Sequence, residues 1–163
     1  MDILLDEITA AANGNLGLLA VHGALTLPDV CSALETNEPL KPGTIGVRYS
    51  AWFDTYLGDR YGAWLSGWDV YNLRCKVLHQ GEMQHPRNTA TIFFSPDFHC
   101  VSFGVGEEVQ EVGLRAPTFA LDLVNAARAW RAAKVGDPDV QRRMASLIQV
   151  YRGSSLVYAP MVR

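Results

Sequence analysis

Trp68-Asp69-Val70-Tyr71-Asn72-Leu73-Arg74-Cys75-Lys76-Val77-Leu78-His79-Gln80-Gly81 reads as one largely apolar helix that carries a single arginine and stops at a histidine and a glycine. The helix begins near Ala63 or Gly67, and at about 100° per residue Trp64, Trp68, Tyr71, Cys75 and Leu78 fall in one narrow arc. Val70, Leu73 and Val77 form a second apolar arc, and Asp69, Asn72 and Lys76 share the polar strip that remains. Arg74 falls between the two apolar arcs, roughly 40° from Leu78 on one side and from Val70 on the other. A guanidinium keeps its charge in any surroundings, so Arg74 requires a carboxylate from another segment or an anionic ligand. Asp54, Asp59 and Glu35 are the candidate internal partners.

His79 is the second feature of this helix. On a continuous spiral it stands about 140° round from Arg74, a poor arrangement for gripping one group. Gly81 is placed to end the helix, which puts His79 in the last turn or at the cap. There the ring can turn toward Arg74, complete a site supplied by a second subunit, or simply favour the negative end of the helix dipole. A histidine accepts or donates a proton near neutral pH, and a fixed arginine holds a phosphate through paired N–H groups. Together they suit transphosphorylation of RNA, in which the 2′-hydroxyl attacks the neighbouring phosphorus and no metal is required.

Around this helix the apolar period predicts a mainly α chain. A first helix spans residues 2–12, a second residues 16–25, and Thr26 opens another turn or helix with Pro28 and Asp29 at its start. Residues 35–43, with Pro39, Pro42 and Gly43, read as a loop. Thr44 caps a helix whose stripe is Ile45, Tyr49, Trp52, Phe53 and Tyr56, ended by Gly58. His85-Pro86 interrupts regular structure, after which the period changes to extended over residues 89–94, 98–105 and 109–114. The strands predict a β-hairpin or small meander inserted between helices, at about residues 89–116. Pro117-Thr118 starts a long helix with Phe119, Leu123, Ala126, Ala127, Trp130 and Ala133 on one stripe. Asp137-Pro138 opens a last one that carries Val140, Met144, Leu147, Ile148 and Tyr151. Arg128, Arg131, Arg142 and Arg143 lie off these stripes and read as solvated.

A length of 163 residues with 48% hydrophobic and 19% charged side chains fits a single globular domain over residues 1–163. The net charge of -3 argues against a generally basic nucleic-acid coat, though not against a local basic pocket. Cys31, Cys75 and Cys100 are odd in number and widely spaced, which favours a reducing compartment over a disulfide framework. The acidic start Met1-Asp2-Ile3-Leu4-Leu5-Asp6-Glu7 is unlike a signal peptide, and residues 16–27 are too short and broken to cross a bilayer. The expectation is a cytoplasmic protein without a membrane segment.

The segment Leu73-Arg74-Cys75-Lys76-Val77-Leu78-His79, at the end of an apolar helix within a bundle, resembles the R-x(4–6)-H motif of the HEPN superfamily. The order of elements is also similar: helices before the motif, a variable insert, then two more helices. The resemblance implies a HEPN-like helical bundle that commonly forms a symmetric homodimer with both motifs in one cleft. It further implies a metal-independent endoribonuclease, as in toxin–antitoxin or phage-defence systems, acting on RNA, with an antitoxin or other protein as a further partner. Arg74 and His79 would be the catalytic pair, with Lys76 and Asn72 on the same helix as secondary substrate contacts. The residue after the arginine, often Asn, Asp or His in active members, is Cys75 here. An inactive HEPN-like interaction or assembly module therefore stands as the alternative.

Other constellations carry less. His79, His85, His99 and Asp97 have no diagnostic ligand spacing, so no metal and no cofactor is expected. Cys75 stands four residues before His79, but on the most apolar arc it reads as a small core hydrophobe. Gly104-Val105-Gly106 precedes Glu107-Glu108 and not a helix opening on phosphate. Tyr151-Arg152 is a candidate to add an aromatic or a cation to a dimer cleft.

Overall fold

The computed structural model describes residues 1–36, 41, 43–83, 87–88, 90–103 and 109–147. Helices α1 (Asp2–Asn13), α2 (Gly17–Ala24), α3 (Leu27–Leu34), α4 (Thr44–Tyr61) and α5 (Gly67–Gln80) precede three short strands. The strands are β1 (Thr91–Ser95), β2 (Cys100–Phe103) and β3 (Val109–Arg115), followed by α6 (Ala116–Ala133) and α7 (Pro138–Met144). The chain is therefore mainly helical with a small sheet between α5 and α6, as the change of period predicts. His85-Pro86, Gly104-Val105-Gly106, Ile148 and Tyr151-Arg152 lie outside the described residues, as does most of the predicted 35–43 loop.

Helix α6 organises the core. Phe119, Ala120, Leu123, Val124, Ala127 and Trp130 have no exposed surface, and α1, α2, α3 and α4 all pack on it. Burying Phe119, Leu123 and Val124 contributes about 1.5–3 kcal/mol each. The stripe fails only at its end, where Ala133 is exposed. The Trp130 Nε1–H donates to Glu35 at 2.6 Å, so Glu35 serves α6 and does not reach Arg74.

Helix α4 runs past Gly58 to Tyr61, contrary to the predicted stop. Tyr61 is buried and donates its hydroxyl to Asp122 of α6 at 2.5 Å, and that anchoring outweighs the weak helix propensity of one glycine. Residues Gly17–Leu34 have a mean hydropathy of 1.4 but are half buried and divided between α2 and α3 by a turn at Leu25 and Thr26. Of the four arginines read as solvated, three make exposed pairs: Arg128 with Asp6, Arg131 with Asp2 and Arg142 with Asp139. Arg143 is a correction, because its Nε–H donates to the Leu34 carbonyl at 2.7 Å and ties α7 to α3.

The sheet is not a meander. Its order is β1-β3-β2, with β1 parallel and β2 antiparallel to β3. β3 takes the centre because it is the strand with Val112 and Leu114 fully buried, and Gly113 lets both neighbours close in. A Cβ at Gly113 would lie 2.5 Å from Cys100 Sγ and 2.7 Å from the Phe93 ring. The link from β1 to β2 crosses over Arg115, whose backbone N–H donates to His99 Nδ1 at 3.1 Å and whose Nε–H donates to the Pro96 carbonyl at 3.2 Å. Burial lowers the His99 pKa, in keeping with a neutral ring that accepts at Nδ1.

α5 is held against α4 by two glycines. A Cβ on Gly67 would fall 2.3 Å from the Ser50 carbonyl oxygen, and one on Gly46 would fall 2.7 Å from the rings of Trp68 and Tyr71. Gly67→Ala is expected to lower stability by about 1–3 kcal/mol, because backbone must move to admit the methyl. Gly58→Ala, in the open interior of α4 with nothing within 4 Å, is expected to raise it by up to about 1 kcal/mol. Urea denaturation of both variants checks the contrast; equal shifts would mean that the α4–α5 contact is looser than described.

Candidate functional site

The focal helix begins with a capping box. Ser66 accepts from the Asp69 backbone N–H at 3.2 Å, and the Asp69 carboxylate accepts from the Ser66 N–H at 3.0 Å. The Gly67 N–H, another free donor of the first turn, donates to Asp54 at 2.7 Å. That contact removes Asp54 from the candidate partners of Arg74, and Asp59 is exposed on α4. At the other end Gly81 adopts φ 67°, the left-handed stop its residue type predicts.

Arg74 finds its carboxylate on α3. Its Nη2 lies 2.7 Å from Asp29 Oδ2, with the two side chains 21% and 20% exposed. The partner follows from a symmetry of composition: Asp29 is the only Asp, Glu, Lys or Arg in residues 17–34, as Arg74 is the only arginine in its helix. Read as a helix-start residue, Asp29 was not among the partners expected, although a lone acid in an apolar run poses the same problem as a lone arginine.

His79 joins the pair from the same helix, with Nε2 3.0 Å from Arg74 Nη1. Regular helix continues to Gln80, so neither an early helix end nor a second chain is needed. Side chains on a helix lean toward its N-terminus, which brings the imidazole back over the previous turn, and the long arginine stem covers the 140° offset. A guanidinium has only donors, so Nε2 accepts and the ring proton resides on Nδ1.

A second arginine bears on the same carboxylate. Arg74 and then Arg48 of α4 favour the charged form of Asp29, yet desolvation is the larger effect and its pKa is raised. Arg48 continues the Ile45–Trp52 face at helical spacing, the same feature that singles out Arg74, but the aromatics dominate that stripe and mask it. The Nε atoms of both Arg48 and Arg74 are buried without a hydrogen-bond partner among the described residues.

The other sequence candidates lie elsewhere in role. Asn72 is 7% exposed, not on a polar strip, and donates to Asn88 Oδ1 at 2.9 Å, while Asn88 in turn donates to the Asp69 carbonyl at 3.4 Å. It pins the segment after the helix. Lys76 is committed to Gln80 and Glu82, at 2.5 and 2.7 Å. Cys75 is only partly buried and lies beside Tyr71, whose pKa is raised by burial and by a hydrogen bond with that thiol. Trp68 of the expected apolar arc is 46% exposed, and Val47 of α4 is 57% exposed. Among the described residues no group of three His, Cys, Asp or Glu side chains is placed to hold a metal.

The cluster thus sets Arg74, Arg48 and the imidazole of His79 against one carboxylate. In a chain with net charge -3 it is a local positive excess, backed by low-dielectric walls of Tyr49 and Tyr71, whose rings stand 5.4 Å apart. No family model, curated protein or solved structure matches the chain. Asp29→Ala is expected to cost about 1–3 kcal/mol, less than the roughly 3–5 kcal/mol of a fully buried broken pair because solvent still reaches both groups. A double-mutant cycle with Arg74→Met, read by urea denaturation, should give a coupling energy of about 1 kcal/mol; strict additivity would show the pair to be energetically idle.

Proposed function

We propose that this protein is a metal-independent endoribonuclease of the HEPN type, working as a homodimer with Arg74 and His79 in its cleft. The observation that carries the reading is the 3.0 Å contact between Arg74 Nη1 and His79 Nε2, which puts a fixed cation and a proton acceptor at one point. In the resting arrangement the lone pair of Nε2 is occupied by the guanidinium. A phosphodiester that takes Arg74 as its counter-ion leaves that lone pair free to accept the proton of the adjacent 2′-hydroxyl. The 2′-oxygen then bonds to phosphorus as the bond to the 5′-oxygen breaks, giving a 2′,3′-cyclic phosphate and a 5′-hydroxyl. The leaving oxygen takes a proton from the second imidazole of the dimer or from water. Arg74 stabilises the charge that builds on the phosphoryl oxygens. Half-exposed Trp68, packed on Gly46 beside Val47, supplies apolar surface near the cluster for the dimer contact.

A second reading, an inactive module that binds a partner protein such as an antitoxin, is favoured by the Asp29 ion pair, which gives Arg74 an internal counter-ion. The surplus of cations over that single carboxylate supports the catalytic reading over it. Cleavage of single-stranded RNA in the presence of a chelator separates the two. Wild type is expected to cleave, and Arg74→Ala and His79→Ala to lose about 10²–10⁴-fold each. Equal activity in the three proteins, or none in wild type, would remove the ribonuclease.

A further inference from the structure

The positive excess at Asp29 has an owner that the Arg74–His79 pair does not use. Arg48 makes no ion pair or hydrogen bond among the described residues, and its Nε is buried. Asp29, the carboxylate it bears on, already pairs with Arg74 at 2.7 Å. A partly buried guanidinium without its own counter-ion is costly, and arginine does not escape the cost by deprotonating. α4 nonetheless holds it there, between Gly46, which packs on Trp68 and Tyr71, and Tyr49, whose hydroxyl donates to the Leu25 carbonyl at 3.1 Å. The unused donor of Arg74, its own buried Nε, belongs to the same cluster. Two guanidiniums from adjacent helices, each with an unfilled Nε donor, bear on this one carboxylate, and an anion with several oxygens suits such a pair.

We propose that Arg48 is a second phosphate-gripping residue, which with Arg74 holds the phosphodiester of the nucleic-acid strand while Asp29 serves as the resident anion that the phosphate displaces. The inference rests on the ribonuclease reading for its ligand, though not for the presence of an anion site. It also assigns Asp29 a positioning role: the carboxylate keeps Arg74 extended toward the site while the site is empty.

Wild type, Arg48→Gln, Arg48→Lys and Arg74→Gln are compared as full chains in two assays. One is thermal unfolding with and without inorganic phosphate. The other is the anisotropy of a labelled single-stranded 2′-O-methyl RNA, which cannot be cleaved, across a series of salt concentrations. Phosphate is expected to raise the wild-type Tm and to leave Arg48→Gln unmoved. RNA affinity of Arg48→Gln should fall about tenfold, and its log–log salt slope by about 0.7, the share of one single-strand phosphate. Arg48→Lys should keep the slope and lose part of the affinity, since it retains the charge without the fork. Without phosphate the Tm of Arg48→Gln should be unchanged or higher, whereas a purely structural arginine would lower it and leave the slope alone. Wild-type phosphate shift and RNA slope in Arg48→Gln, with Arg74→Gln impaired, would overturn the role of Arg48 and spare that of Arg74. An Arg48-dependent phosphate shift without RNA binding would uphold the anion site and end the ribonuclease reading. No phosphate shift and no RNA binding in wild type would overturn both.

Discussion

A guanidinium set among apolar side chains must have an anion, and the contact between Arg74 and Asp29 is how this fold meets that demand. The pair joins α3 to α5, which have few other direct contacts; both helices pack on α4, and α3 packs on α6 as well. Neither charge could be removed alone without leaving the other partly desolvated. Burial raises the pKa of Asp29 in spite of the attraction of Arg74 and Arg48.

The approach of α4 to α5 makes the cluster possible. Gly67 and Gly46 remove the Cβ atoms that would hold the helices apart, and Asp54 satisfies the first donor of α5 at the same crossing. With the helices so near, the charge of Arg48 on α4 acts on the carboxylate that Arg74 already occupies. The polar residues of α5 are meanwhile drawn into structural duties, Asn72 to Asn88 and Lys76 to Gln80 and Glu82. Arg74 and His79 instead meet each other, and Arg74 reaches Asp29 of α3.

Much of the helical framework was legible from the period of apolar residues, because a stripe that buries itself on α6 leaves a regular trace. The sheet order was not, since whether β1 pairs with β2 or β3 depends on a close approach at Gly113 that no local pattern announces. The stop of α4 was misplaced for a similar reason: Gly58 signals an end, but the anchoring of Tyr61 on Asp122 comes from a helix 61 residues away. At the site, periodicity identified Arg74 as a cation in need of an anion and left its partner open among acids that turned out to be employed elsewhere. Asp29 and Arg48 were within reach of the same reasoning, one as a lone acid in an apolar run and the other as a basic residue on an aromatic face. The His79 contact was underestimated because angular position on a helix says little about where a long arginine side chain ends.

The decisive property of the cluster is where an anion binds. A structure of the protein with a non-cleavable 2′-deoxy dinucleotide tests it most directly. It should show the scissile phosphate within hydrogen-bond distance of the Arg74 guanidinium, with His79 Nε2 released toward the position of the 2′-substituent. A dinucleotide bound elsewhere, with Arg74 still paired to Asp29 and His79 still closed on Arg74, would contradict it.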